Sequence, residues 1–170
     1  MSRGILKKYI GALILSQMVL FGMPAVGEES VGFKKEFVNP YESNFSNVVT
    51  ISSAGTTTLH VSGQVGFLDG ELPEEFARQA ENAFENIARH LAAAGANLKD
   101  IVKINVYIVG LDGEKTKAFN EARTKFLGKE DMPASTLLGI QALIYPGFKI
   151  EIEAIAVIKN SEESSIKQRK

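Results

Sequence analysis

The sequence contains no cysteine and no tryptophan, and only two of its 170 residues are histidines. Without cysteine, the chain can form no disulfide, use no thiolate nucleophile and offer no sulfur ligand to a metal. His60 and His90 fall on different predicted elements, a strand and a helix, so we expect both to be structural. We therefore predict no metal site and no cofactor.

The rest of the composition is that of a globular protein, with 45% hydrophobic and 23% charged residues. A chain of this length accommodates one domain with extensions at its ends. We divide it into an N-terminal segment over residues 1–27, a polar arm over 28–44, a domain over 45–159 and a charged tail over 160–170.

Residues 1–27 have the pattern of a secretory signal peptide. Three basic residues among the first eight precede an apolar run over residues 10–23, and the small residues of Ala25-Val26-Gly27 follow. The alternative is an uncleaved membrane anchor, although the run is short for a membrane span. Cleavage would leave 16 basic against 20 acidic side chains, a net charge of −4. We thus expect a periplasmic or secreted protein that binds no nucleic acid and, after cleavage, no membrane.

Hydrophobic periodicity predicts the order β-β-α-β-α-β-β, with little structure in the arm. Apolar residues recur every three or four positions in both predicted helices, and Asp112 is a candidate cap for the second. A short Tyr145-Pro146-Gly147 turn is expected to join the last two strands. The predicted elements are strands at 45–52 and 56–67, a helix at 73–94, a strand at 101–109, a helix at 114–127 and two strands within 133–157.

The last predicted strand has one apolar face and one mixed face. Alternation places Ile150, Ile152 and Ala154 on the first, and Glu151 and Glu153, together with apolar residues, on the second. Two helices that each carry one apolar stripe are buried most simply on one face of a mixed sheet, giving an α+β fold. The mixed face would then be an unusual exposed patch on a monomer, so we predict a homo-oligomer that covers it.

A set of short motifs is spread over residues 45–158. They are Val61-Ser62-Gly63-Gln64, Asp69-Gly70-Glu71-Leu72-Pro73, Gln79 with Ala83, Asn86 and Ile87, residues 91–96, Asp100-Ile101-Val102-Lys103, Phe119-Asn120, Pro133-Ala134 and residues 150–156. None of these motifs is specific alone, but their order and spacing together are. In this order and spacing, they resemble the RidA (YjgF) family of enamine/imine deaminases.

The resemblance implies a chorismate-mutase-like domain that assembles as a homotrimer with a cleft between each pair of subunits. It also implies hydrolysis of 2-aminoacrylate-type enamines or imines, with Glu151 as the carboxylate that positions water or relays a proton. Ser62, Gly63 and Asn120 match positions near the cleft. Two positions depart from the family pattern: Ser135 stands where active members carry a substrate-anchoring arginine, and Phe45 replaces a tyrosine.

A serine hydroxyl cannot balance the charge of a substrate carboxylate as a guanidinium does. Arg78, Arg89 and Arg123 lie on predicted helices and Arg169 in the tail, so we expect none of them to replace the missing anchor.

The first hypothesis is therefore a protein that binds a neutral or cationic small molecule in the intersubunit clefts. The alternatives are a hydrolase of C=N bonds that uses Glu151 as general base, and a nucleic-acid-binding protein. Structural roles also remain open: Glu151 could serve a subunit contact, Glu153 a salt bridge, Asn120 a hydrogen bond and Gly63 a close backbone approach.

Overall fold

The computed structural model describes residues 32–40 and 45–160, so the predicted signal peptide and nearly all of the predicted tail lie outside the described residues. Within these ranges, no helix combines the length and the apolar character needed to cross a membrane. The elements, in chain order, are β1 (Lys34–Pro40), β2 (Ser46–Ser53), β3 (Thr56–Val65), α1 (Phe76–Ala93), a short 3₁₀ helix (Leu98–Asp100), β4 (Ile101–Val109), α2 (Gly113–Leu127), β5 (Ala134–Ile140) and β6 (Ile150–Lys159).

The strands form one sheet in the order β1-β2-β3-β6-β4-β5. Among the strands that the structure describes, only β4 and β5 pair in parallel, and the other neighbours are antiparallel. This confirms the predicted mixed sheet. The parallel pair requires a crossover connection, and α2 provides it.

The core lies between one face of this sheet and the two helices. Ile150, Ile152 and Ala154 of β6 are buried there, as their alternation predicts. From α1, Phe84 is fully buried and stacks against Phe119 and Phe126 of α2, with ring centroids 6.2 and 5.5 Å away. The opposite face of the sheet, which we call the open face, has no helix over it in the part of the chain that the structure describes.

Local sequence signals account for most of the helix ends. The Asp112 side chain accepts a hydrogen bond from the backbone N–H of Lys115 at 2.8 Å, which confirms it as the cap of α2. Gly128 ends α2 with a φ of 82°, a conformation that favours glycine. Helix α1 begins three residues later than predicted, and the Pro73 carbonyl ahead of it accepts a hydrogen bond from the Gln79 side chain at 2.7 Å.

Three details of the sequence prediction were wrong. Part of the predicted arm forms β1, an edge strand whose Val38 packs against the core. A register shift between Ile101 and Lys103 buries Ile101 and leaves Val102 exposed, against the strict alternation expected for β4.

The last two strands are also not a hairpin: β6 lies between β3 and β4, whereas the one described neighbour of β5 is β4. The segment between them spans residues 141–149 and crosses the end of the sheet. Buried Gln79 fixes this segment, donating to the Gly147 carbonyl at 2.9 Å and accepting from the Lys149 N–H at 2.9 Å.

Candidate functional site

A β-bulge in β3 shapes the centre of the open face. The register between β3 and β6 shifts between Val61 and Gln64, so that Ser62 and Gly63 together face Glu153. The Ser62 hydroxyl donates to the Ser46 carbonyl at 2.7 Å, which ties the bulge to β2 beside the exposed ring of Phe45. Bulges of this kind commonly re-aim the chain next to functional sites.

Glu151 lies directly over the backbone of Gly63. A Cβ atom at Gly63 would lie 2.6 Å from the carboxyl carbon of Glu151 and 2.9 Å from its Cγ, well inside van der Waals contact. Glycine at this position therefore gives the Glu151 side chain its place on the sheet. Close approach, which was one of the roles expected for Gly63, is the role that this geometry gives it.

The environment of Glu151 disfavours its charge. The residue is half-buried on β6, between Val65 of β3 and Tyr107 of β4, and it accepts no hydrogen bond from any residue that the structure describes. Burial, and then the charge of Glu153, raise the pKa of the Glu151 carboxyl. A carboxyl group perturbed in this way is suited to hold and release a proton nearer to neutral pH.

Glu153 has the opposite environment, two residues further along the same face. Its carboxylate accepts hydrogen bonds from the Asn105 amide at 3.1 Å and from the Tyr107 hydroxyl at 3.2 Å. Burial and the charges of both carboxylates raise the pKa of Tyr107, which keeps its hydroxyl protonated as a donor. These two donors replace the salt bridge or solvated position that the sequence suggested for Glu153.

A shallow cavity of about 260 Å³ opens beside Glu153 on this face. Its lining includes Ser62, Asn105 and the exposed side chains of His60 and Lys103. Among the residues that the structure covers, no group of acidic or histidine side chains could hold a metal ion.

Ser135 and Asn120 lie on the other side of the molecule. Ser135 on β5 pairs with Ile104, whose side chain is in the core, so Ser135 faces the helix layer while remaining exposed at the sheet edge. Asn120 is exposed on the outer surface of α2. The six candidate residues therefore form two patches in a single chain: Phe45, Ser62, Gly63 and Glu151 on one side of the sheet, Asn120 and Ser135 on the other.

Sequence reasoning missed Asn105 and Tyr107. The alternation of β4 already placed both on the face opposite to its apolar residues, which was the available signal. The missing information was the pairing of β4 with β6, which sets Asn105 opposite Glu153 and Tyr107 opposite Glu151.

Comparisons with known proteins agree with this architecture. The family model described as Endoribonuclease L-PSP matches residues 38–158. The rat protein named 2-iminobutanoate/2-iminopropanoate deaminase is 38% identical over 104 residues, which cover 59% of this chain and 72% of the rat protein.

Two solved structures are also similar to this chain. RidA from the Antarctic bacterium Psychrobacter is 36% identical with a TM-score of 0.58, covering 70% of this chain and 93% of that structure. Escherichia coli TdcF, solved with bound serine, is 25% identical with a TM-score of 0.63, covering 74% of this chain and all of TdcF. The motifs, the mixed sheet under two helices and these matches together place the chain in the RidA (YjgF) family.

Proposed function

We propose that this protein hydrolyses the C=N bond of a small imine, or of the enamine from which it forms, with Glu151 as the general base. The observation that carries the proposal is the Glu151 carboxyl itself: half-buried over Gly63, free of hydrogen-bond donors among the described residues, and raised in pKa. The similarity to a rat deaminase of 2-iminobutanoate and 2-iminopropanoate supports this substrate class.

The reaction needs one group that first takes a proton and then returns it. In the proposed mechanism, the Glu151 carboxylate accepts a proton from water while the water oxygen bonds to the carbon of the protonated imine, which gives a carbinolamine. The resulting carboxylic acid then protonates the amine nitrogen and the C–N bond breaks with loss of ammonia. The hydroxyl group of the carbinolamine gives its proton to the Glu151 carboxylate as the carbonyl group forms. A raised pKa favours the second transfer, because the protonated form of Glu151 is then accessible near neutral pH.

Glu153 would support the reaction through its charge, without exchanging a proton itself. Its two donors hold its carboxylate in place, and its charge is one of the causes of the raised pKa of Glu151. Two carboxyl groups on one strand thereby acquire different roles through their surroundings.

We propose that the complete site forms between copies of this chain in a homotrimer. The two patches of candidate residues lie on opposite sides of one sheet, so no single chain can bring them together. The open face also exposes apolar side chains, among them Phe37, Leu138 and Val157, which a second copy would cover. Sedimentation equilibrium should give three times the monomer mass, and Val157→Glu should shift the mass towards monomer and reduce turnover.

The direct test offers 2-aminoacrylate, generated in the assay, and measures release of the 2-oxo acid. We expect turnover by the wild-type protein, and a loss of about 100- to 10,000-fold in Glu151→Gln, the usual contribution of a general base. The matched control is Glu130→Gln, because Glu130 is an exposed carboxylate after α2. Wild-type protein without turnover, or Glu151→Gln with full turnover, would refute the proposal.

The alternative is ligand binding without turnover, and Ser135 and Phe45 favour it, because they offer neither a guanidinium nor a phenol hydroxyl. A wild-type protein that binds but does not turn over 2-oxo acid precursors, and that gains activity as Ser135→Arg, would support this alternative.

We also propose that the protein is exported, on the pattern of residues 1–27. N-terminal sequencing of protein from a cell fractionation tests this. Cleavage after Gly27 in the periplasmic or secreted fraction is expected, and full-length protein in the cytoplasm would refute it.

A further inference from the structure

Arg123 on α2 has no ionic partner among the residues that the structure describes, unlike the two other arginines there. Arg78 pairs with Glu81 at 2.9 Å, and Arg89 pairs with Asp69 at 2.7 Å. Arg123 instead has a buried Nε atom without a hydrogen-bond acceptor, and its guanidinium carbon lies 5.7 Å from the centre of the Phe119 ring. A buried donor without an acceptor is costly, which indicates a partner that is not part of this chain's described fold.

Arg123 lies between the α1-facing side of α2 and its outer surface. Phe119, one turn before Arg123, stacks on Phe84 of α1, whereas Lys125, about 200° around the helix from Arg123, reaches Glu81 of α1 from the other flank at 2.9 Å. Thr116 and Asn120, at seven and three residues before Arg123, share its side of the helix. The Arg123 and Asn120 side chains therefore leave the helix on the same side.

That side of α2 lies towards the β5 edge of the sheet. Helix α1 packs on β3 and β6, and α2 lies beside α1. Because α2 is the crossover between the parallel neighbours β4 and β5, we place its other flank towards these two strands. Helix α2 runs antiparallel to β4: Lys115 donates to the carbonyl of Val109 at the end of β4, and the other end of α2 contacts the 3₁₀ helix that precedes β4.

Along this direction Arg123 lies level with Ser135. From the start of α2 at Gly113 to Arg123, ten residues of helix advance about 15 Å, which corresponds to four or five residues of strand. Counting back from Val109, this reaches the first half of β4, where Ile104 pairs with Ser135. Ser135 faces the helix layer with a short, exposed side chain.

We propose that Arg123 binds the carboxylate of the substrate and, from α2, takes the role of anchor that no residue of β5 supplies. The guanidinium offers two parallel N–H groups to a carboxylate, and the Phe119 ring holds its plane. This rests on the proposed function and reverses two sequence expectations, that no arginine compensates for Ser135 and that the ligand is neutral or cationic. In the trimer, Arg123 of one copy would hold the substrate that Glu151 of the neighbouring copy acts on.

Calorimetric titration of the full protein with 2-oxobutanoate, a stable carboxylate of the product class, tests the inference. We expect Arg123→Gln to weaken binding about 100-fold or more, and Arg123→Lys to weaken it less, because the charge remains but the fork is lost. The matched control is Arg78→Gln, which removes an exposed, paired arginine of α1 and should leave affinity within about twofold. The methyl ester of 2-oxobutanoate should bind equally weakly to wild type and Arg123→Gln.

Stability separates binding from a structural role. If Arg123 serves a ligand, Arg123→Gln removes an unpaired buried donor and the melting temperature without ligand should stay the same or rise. A large fall in melting temperature, or unchanged affinity in Arg123→Gln, would overturn the inference.

The two proposals fail in distinguishable ways. If 2-oxobutanoate binding depends on Arg123 but the protein has no turnover, the proposed hydrolysis is refuted and the role of Arg123 in binding stands. If the protein turns over its substrate and Arg123→Gln leaves the KM unchanged, the role of Arg123 is refuted and the proposed hydrolysis stands. Glu151→Gln should lose turnover but retain 2-oxobutanoate affinity. A wild-type protein that does not bind 2-oxobutanoate would refute the anchor outright.

Discussion

Substituting Gly63 by alanine tests the proposed site at its tightest contact. The new Cβ would overlap Oε1 of Glu151 and lie 2.6 Å from its carboxyl carbon, where ordinary contacts lie at about 3.5 Å. The carboxyl group must therefore move by at least about 1 Å. It can do so at modest cost, because it is the end of a flexible side chain and Gly63 does not require a positive φ.

The Gly63→Ala substitution should affect the folding free energy less than the catalytic rate. Overpacking of this kind costs about 1–3 kcal/mol of folding free energy, and part of that is offset by the lower entropy of the unfolded alanine chain. A catalytic group displaced by about 1 Å loses about 100-fold in rate. We thus expect a folded protein with kcat/KM reduced about 100-fold and a lower-pH acidic limb, because a displaced carboxyl is less buried and its pKa falls towards its ordinary value.

The assay combines urea unfolding with the pH dependence of 2-oxo acid release. The matched control is Gly113→Ala at the start of α2, where no atom lies within 4 Å of the new Cβ. It should keep full activity and gain up to about 1 kcal/mol of stability from helix propensity. If Gly63→Ala keeps wild-type activity and an unshifted acidic limb, Glu151 is not positioned by Gly63 for catalysis.

Three further predictions concern stability. Phe84→Ala should lower the free energy of unfolding by about 3–5 kcal/mol, because the ring is fully buried between two others, while Phe67→Ala, half exposed, should cost about 0.5 kcal/mol; equal losses in urea titrations would contradict this. Gln79→Met should leave three backbone groups unpaired, at about 1–3 kcal/mol for each that stays buried, and should speed hydrogen exchange at Lys149 specifically; unchanged exchange there would count against it. Glu151→Gln should be more stable than wild type only above about pH 4.5. The pKa of the Glu151 carboxyl is raised in the native state, so the free energy of unfolding of the wild type falls as the pH rises from the ordinary pKa of 4.5 through the native pKa. A stability difference that is the same at about pH 4 and about pH 8 would refute that assignment.

Local patterns in the sequence were sufficient for both α-helices, for the strands β2 to β6 and for the family, but not for β1. The apolar alternation of residues 150–156 identifies the buried face of β6, and Asp112 and Gly128 mark the ends of α2, because each signal acts within a few residues of chain. The same alternation places Glu151 and Glu153 on the opposite face. None of this requires knowledge of which strands are neighbours.

The chemistry of the site required the tertiary structure, because it depends on strand order and register between distant segments. The contact of Glu151 with Gly63 follows from the bulge of β3 where it pairs with β6. The hydrogen-bond donors to Glu153 come from β4, nearly fifty residues away in the sequence. Within the described residues, the lack of a hydrogen-bond acceptor for the Arg123 Nε follows only from the positions of the neighbouring side chains. Periodicity predicts on which face of the sheet a residue lies. Its hydrogen bonds, its burial and its pKa depend on the residues of neighbouring strands on that face, and only the folded chain determines which residues these are.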